Sequence, residues 1–544
     1  MPYRPFARDY VLLWCVLVFS GLAFRPLIPV DETRAVSVAW EMWLRGDFLV
    51  PSLNGEPYSH KPPLFQWIIH LSWLIFGVND WTPRLVGPLF GLANLILTER
   101  LARRLWPELE SVSRLAPLIL LGLAVWSMWT TLTLYDMLVA FFALLGVLGI
   151  LRAAQEPSYL GWLMTAVGIG GGVLSKGPII LLLILPVGLL APWWMGRVPR
   201  SGWGGWYAGI LAATVLGAAI ALAWAIPAGM SGGEEYAQAI FWGQSAGRIA
   251  NSFAHKRSWW WYAAILPIFL FPWILWPGLW RKLIELKADL KLRFCILHVA
   301  AVLILLSAVS AKQIHYLLPS LPIWALIFAR VFGDPSIQVG RFGQRAFGTV
   351  VLGLGLALAL LPGIAGVLGF PKADSTVVAV AEASPLIARA LIIGLGAFLL
   401  LWRPGDSATM VREVVGAMIG VVLAAHLIYV EAGRSHHDMR PMGTRLAQLQ
   451  ALGASIAHWE KYSGDFQFVG RLKEPLKVLH TPKALSEWLA AHPDGYVVIV
   501  YRGSKKAFEE SAEFSQPYRG NRRIGLWKAS ALLARPDVVA RLTG

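Results

Sequence analysis

An acidic pair, Asp31-Glu32, directly follows the first apolar stretch, and Ser59-His60-Lys61-Pro62-Pro63 lies further along the same loop. A carboxylate can act as a general base or clamp an acceptor hydroxyl, and a lysine offers a point charge to phosphate oxygens. At a water–lipid boundary, these are the groups that a phosphate-linked, lipid-borne substrate needs. More such groups fall at the ends of later apolar stretches: Asp136, Ser175-Lys176, Arg248, His255-Lys256-Arg257, and Lys312 with His315-Tyr316. An unpaired charge beside lipid costs roughly 2.5–3.5 kcal/mol even on the lenient insertion scale. These groups are therefore expected to face a shared polar cavity and to pair with one another or with a ligand.

Each candidate also has a plainer account. Asp31 is the leading catalytic carboxylate, or an interfacial acid paired with Arg34. Asp136, after Thr130, Thr131 and Thr133, is a second acid or a cap for the next helix. Lys61 and Lys176 hold phosphate, or snorkel to headgroups. Lys312 and Tyr316, four apart on one helical face, hold a pyrophosphate or sugar phosphate, or anchor their span. His60 and His255 could share a divalent metal (zinc, magnesium or manganese) with Asp31 or Glu32, or be solvated. The chain has no Gly-rich phosphate loop, Walker motif or Ser-His-Asp order, so nucleotide hydrolysis has no support.

The elements that must position these groups are membrane helices. The 544 residues are 56% hydrophobic and 15% charged, with a mean hydropathy of +0.57. Stretches long enough to cross a ~30 Å hydrocarbon core recur. They fall near 10–28, 82–104, 113–132, 135–152, 159–174, 178–195, 205–226, 259–280, 294–310, 315–332, 346–368, 386–402 and 412–430. That gives about 13 transmembrane helices, a retained first helix, and interfacial helices at Val36–Leu44 and 62–78. The expected organisation is a transmembrane domain over 1–430, with an external loop at 29–81, and a small α/β domain over 431–544. In that domain 442–463 and 482–492 read as helix, and Phe466–Val469, Tyr496–Tyr501 and Ile524–Trp527 as strand. Arg152, Arg197/Arg200, Arg281 to Arg293, Arg341/Arg345 and Arg403/Arg412 collect on one side, which places the N-terminus inside and the C-terminus outside. The net charge of +16 is scattered over short loops, so the expected partner is anionic membrane lipid and not nucleic acid. Cys15 and Cys295 sit in apolar stretches and suggest neither a disulfide nor a metal site.

Val30-Asp31-Glu32-Thr33-Arg34, Gly46-Asp47-Phe48-Leu49-Val50-Pro51 and Tyr58-Ser59-His60-Lys61-Pro62-Pro63-Leu64 resemble the first external loop of the lipid A aminoarabinose transferases. These are relatives of the protein O-mannosyltransferases with the integral-membrane GT-C fold. Leu134-Tyr135-Asp136-Met137, Leu174-Ser175-Lys176-Gly177-Pro178, His255-Lys256-Arg257 and Ser310-Ala311-Lys312 resemble the same family in the same order. The resemblance implies an all-α polytopic GT-C protein that moves a sugar, with inversion, from polyprenyl phosphate (undecaprenyl phosphate) to lipid A or a related envelope glycolipid. It also implies a bacterial inner membrane location with the active site and C-terminal domain in the periplasm. By the same likeness Asp31 is the main catalytic acid and Asp136 supports it. Lys61, Arg34 and Tyr58 hold the carrier phosphate, with Arg257, Lys176, Lys312 and Tyr316 as further phosphate ligands. The family usually has glutamate where His60 stands, at a position associated with zinc. The alternatives are a protein O-mannosyltransferase-type enzyme or, from another class, a lipid or sugar transporter or flippase. Transporters place charges near the midplane between matching halves; here no halves match and the charges gather at one face.

Overall fold

The computed structural model describes residues 7–156, 159–243, 257–334, 340–368, 376–502 and 511–535, together with Val539. The chain divides into two compact units. One comprises Met1–Ala23, Ser59–Phe65 and Arg84–Ile428, and the other Phe24–Tyr58, Gln66–Pro83 and Tyr429–Gly544. The first eight helices are α1 (Ala7–Phe24), α2 (Asp31–Arg45), α3 (Leu64–Phe76), α4 (Thr82–Leu105), α5 (Glu110–Leu121), α6 (Ala124–Thr130), α7 (Asp136–Gln155) and α8 (Tyr159–Lys176).

Helix occupies every apolar stretch read from the sequence. Among the described residues, 7 helices are long and apolar enough to cross a membrane, or up to 9 if each of two bent pairs is one span. The first bent pair, α5 and α6, turns by 70°. Its bend lies at Gly122, where a Cβ would come within 2.8 Å of Trp273 and 2.9 Å of Val415. The Trp273 indole N–H donates to the Ile119 carbonyl (2.9 Å) and the Ala124 N–H to the Phe271 carbonyl (3.1 Å), so neighbouring backbone and side chains satisfy the break. The chain is thus a multi-pass membrane protein.

α7 and α8 pack along their lengths, and α8 is rich in glycine. A Cβ at Gly149 would lie 2.5 Å from the Gly161 carbonyl oxygen, and one at Gly168 would lie 2.7 Å from that of Phe142. Only small residues allow backbones to approach this closely, which makes up for the low apolarity of α8. The Thr165 hydroxyl reinforces the contact by donating to the Gly146 carbonyl (3.3 Å). The hairpin brings the start of α7 to the end of α8.

In the other unit a five-stranded sheet has the order β4-β3-β5-β7-β6. Its strands are β3 (Ile456–Trp459), β4 (Lys477–Leu479), β5 (Tyr496–Arg502), β6 (Phe514–Tyr518) and β7 (Arg522–Lys528), after the short hairpin of β1 (Ser52–Leu53) and β2 (Glu56–Pro57). β3 is parallel to β4 and β5, and β7 is antiparallel to β5 and β6. Two local expectations are corrected. The helix expected over 442–463 stops at Ala451, because Gly453 takes φ +75° and the chain then enters β3. The strand expected at Phe466–Val469 is the helical turn Gln467–Gly470. There the Phe468 N–H donates to the Ser37 hydroxyl (3.2 Å), so packing on α2 overrides the alternating pattern.

Candidate active site

Asp136 opens α7 and Lys176 closes α8. The hairpin brings Lys176 Nζ to 2.5 Å from Asp136 Oδ1, with both side chains 7% exposed. The Trp129 indole N–H donates to the other carboxylate oxygen at 3.2 Å. Asp136 therefore does not cap its helix: both oxygens are committed sideways, although a carboxylate in a first turn still gains from the helix dipole. Asn94 on α4 fixes the approach by donating to the Met137 carbonyl (2.9 Å). Lys176 Nζ lies 5.4 Å from the Tyr316 ring centroid, and His315 lies between Trp129 (6.2 Å) and Tyr316 (5.0 Å). Tyr316 and Lys176 are thus neighbours. Lys312 is buried nearby in sequence and donates to the carbonyls of Val309 (2.6 Å) and Arg257 (3.3 Å).

The acidic pair at 31–32 is split by helical geometry. Consecutive residues on a helix point about 100° apart, so the two carboxylates face different environments. Glu32 is buried and accepts from Arg25 Nη1 (2.5 Å) and the Ile28 N–H (2.7 Å), which fastens the first turn of α2. Asp31 stays 72% exposed and pairs with Arg34 one turn on. Arg34 therefore serves Asp31 directly, and Asp31 presents a carboxylate to solvent from a rigid helix start. Tyr58 is buried against Val38 and Met42 of α2.

The remaining candidates are spread over both units. Lys61, half-buried, and His60, exposed, belong to the membrane-helical unit, whereas Asp31, Glu32, Arg34 and Tyr58 belong to the other. Arg257 is exposed. His255, with Arg248 and Lys256, lies outside the described residues. No group of three His, Cys, Asp or Glu side chains suited to a metal occurs among the described residues. Glu32 fits a cation poorly because Arg25 already neutralises it. Arg25, Trp129 and Asn94 were not singled out by sequence; each acts through a partner distant in the chain or in a different element.

A family model described as dolichyl-phosphate-mannose-protein mannosyltransferase matches residues 60–227. The undecaprenyl phosphate-alpha-4-amino-4-deoxy-L-arabinose arabinosyl transferase of Erwinia tasmaniensis is 27% identical over 381 residues, covering 66% of this chain and 66% of the relative. The Pseudomonas aeruginosa enzyme of the same name is 28% identical over 368 residues, covering 64% and 65%. The chain spans just under two thirds of the length of these curated relatives. The crystal structure of ArnT from Cupriavidus metallidurans bound to undecaprenyl phosphate superposes with a TM-score of 0.73 at 18% identity, covering 95% of this chain and 97% of that one. Its apo form gives 0.74 at 19% identity, covering 96% and 98%. The resemblance read from the first loop is thus borne out in sequence and in fold: the chain is similar to the undecaprenyl-phosphate aminoarabinose transferases and has their membrane-helical GT-C architecture.

Proposed function

We propose that this protein is an inverting glycosyltransferase that moves a sugar from undecaprenyl phosphate to lipid A or a related envelope glycolipid. The observation that carries the proposal is Asp31, an exposed carboxylate at the start of α2 paired with Arg34, in a chain similar to the aminoarabinose transferases. In transfer, the bond between the sugar's anomeric carbon and the carrier phosphate breaks, and the phosphate leaves with the electron pair. An acceptor oxygen bonds to the opposite face of that carbon. Lys61, Arg34 and Tyr58, with Arg257, Lys176, Lys312 and Tyr316, are assigned to the phosphate, whose charge grows in the transition state. If the acceptor is a hydroxyl, Asp31 takes its proton; if it is a phosphate, Asp31 only orients it. Asp136 supports the site by fixing Lys176.

The proposal includes about 13 crossings, a bacterial inner membrane location, and a periplasmic active site and α/β tail. Were a divalent cation bound, His60 and His255 would hold it, and no step above passes through it. The match to the mannosyltransferase family model supports a second reading, a protein O-mannosyltransferase-type enzyme. The test is transfer by the purified full chain supplied with undecaprenyl-phosphate-linked 4-amino-4-deoxy-L-arabinose and lipid A. Sugar-bearing lipid A and free undecaprenyl phosphate are expected. Transfer to a protein acceptor from a mannosyl carrier, with lipid A untouched, would establish the second reading instead.

A further inference from the structure

At the end remote from Asp136 and Lys176, the α7–α8 hairpin borders a cavity of about 270 Å³ that the chemistry above does not use. α7 has 20 residues, so the cavity lies roughly 30 Å from that ion pair, at the other end of a membrane crossing. Its walls are the end of α7, Trp162 of α8, Arg197 and Arg200, and Trp206 of the long helix Gly202–Gly232. The two tryptophan rings meet edge to face with centroids 5.0 Å apart, and the Trp206 indole N–H is anchored on the Gly188 carbonyl (3.0 Å). A Cβ at Gly209 would sit 2.4 Å from Trp162 Cε2, so glycine lets this indole lie against the long helix. Negative groups also border the cavity, but each is already covered. Arg197 Nη2 donates to the Ala154 carbonyl (3.2 Å), and Glu156 pairs with Arg104 (3.0 Å) and Arg152 (3.6 Å). Arg200 is exposed and makes no hydrogen bond or ion pair among the described residues. Arg104, Arg152, Arg197 and Arg200 thus stand against the single carboxylate of Glu156, and positive charge is in excess. Beside the cavity, Leu160 and Leu163 of α8 and Leu211 of the long helix are exposed, as residues that meet acyl chains are.

We propose that this cavity binds the headgroup of an anionic phospholipid. Arg200, with the donors of Arg197 not used by Ala154, takes the phosphodiester oxygens, for which the guanidinium fork is suited. Trp162 and Trp206 line the glycerol region, at the depth where tryptophan is favoured, and the acyl chains follow the exposed leucines. A zwitterionic headgroup would bring its own cation among the arginines, and a bare phosphate would leave the tryptophans and leucines unused. The site needs only that these helices cross a membrane, so it stands or falls apart from the transferase reading.

The test uses the purified full-length chain in neutral detergent, with native mass spectrometry reading retained lipid and a thermal scan reading the unfolding midpoint. The probes are phosphatidylglycerol, phosphatidylcholine, undecaprenyl phosphate and inorganic phosphate. Wild type should retain phosphatidylglycerol in preference to phosphatidylcholine, and its midpoint should rise with the former. Arg200→Gln should weaken phosphatidylglycerol binding roughly fivefold, and the double variant with Arg197→Gln on the order of twentyfold. The lipid-free midpoint of Arg200→Gln should match wild type, since that side chain has no partner to lose. Gly209→Ala, which changes no charge, should also weaken binding by displacing Trp162. Arg281→Gln, an exposed arginine outside the cavity, should leave binding within about twofold of wild type. Equal retention of the two phospholipids, or an Arg200→Gln loss no larger than that of Arg281→Gln, would overturn the proposal. So would displacement of the lipid by millimolar inorganic phosphate, which would mark a small-anion site, or a preference for undecaprenyl phosphate, which would mark a second carrier site.

Discussion

Asp136 and Asp31 both occupy the first position of a helix and both pair with one cation, but their surroundings differ sharply. The Asp136–Lys176 pair is buried on both sides, whereas Asp31 is 72% and Arg34 26% exposed. Burial makes the first pair rigid and costly to open, since removing one partner leaves an uncompensated charge worth about 3–5 kcal/mol. An exposed pair is worth about 0–1 kcal/mol, so Asp31 can leave Arg34 for an acceptor at little cost. The same pairing of acid and base therefore holds geometry at one place and stays available for exchange at the other. Glu32 belongs with Asp136, for its bond to Arg25 is also buried.

This contrast is open to direct attack. The largest effect is expected at the exposed acid: Asp31→Asn should lower transfer by roughly 10²–10⁴-fold while leaving the unfolding midpoint near wild type. A variant that is as active as wild type, or that fails to fold, would reverse the two roles. Next, Asp136→Asn and Lys176→Met should each destabilise the purified protein by about 3–5 kcal/mol. The double variant should recover folded yield without recovering transfer. Equal stability of all three to wild type would mean that the pair is not dry.

A smaller effect concerns Asp465, a carboxylate only 6% exposed. Its folded-state pKa of about 6 lies above the ordinary carboxyl value of 3.8, so the native state binds this proton more tightly than the unfolded chain. Its contribution to stability is therefore fully present below about pH 3.8 and is lost as pH rises through about 6. The change is on the order of 3 kcal/mol, and Asp465→Asn should remove it from the pH dependence of unfolding. The smallest effect is expected from chelation: with Glu32 neutralised by Arg25, EDTA should leave transfer unchanged. Loss of activity restored by zinc would place a cation at the histidines.

Part of this contrast was legible in the sequence. Asp31, Asp136 and Lys176 stand out because charges beside apolar runs are costly, and the apolar runs themselves predict the helices. The split between Asp31 and Glu32 was hidden, because it depends on α2 starting at Asp31, ahead of the amphipathic pattern at Val36–Leu44. The α7–α8 contact was hidden as well: the Gly-rich stretch 159–174 is a weak span by apolarity and a strong one by close packing. Asp465 could not be found, since its Thr33 partner is 432 residues away and Ser463-Gly464-Asp465 reads as an ordinary turn.

The most direct measurement is mass spectrometry of envelope lipids from cells that make either the wild-type chain or Asp31→Asn. Wild type should add the mass of one sugar to lipid A, and the variant should not. Lipid A carrying the same addition in both strains would contradict the assignment of Asp31 and the chemistry built upon it.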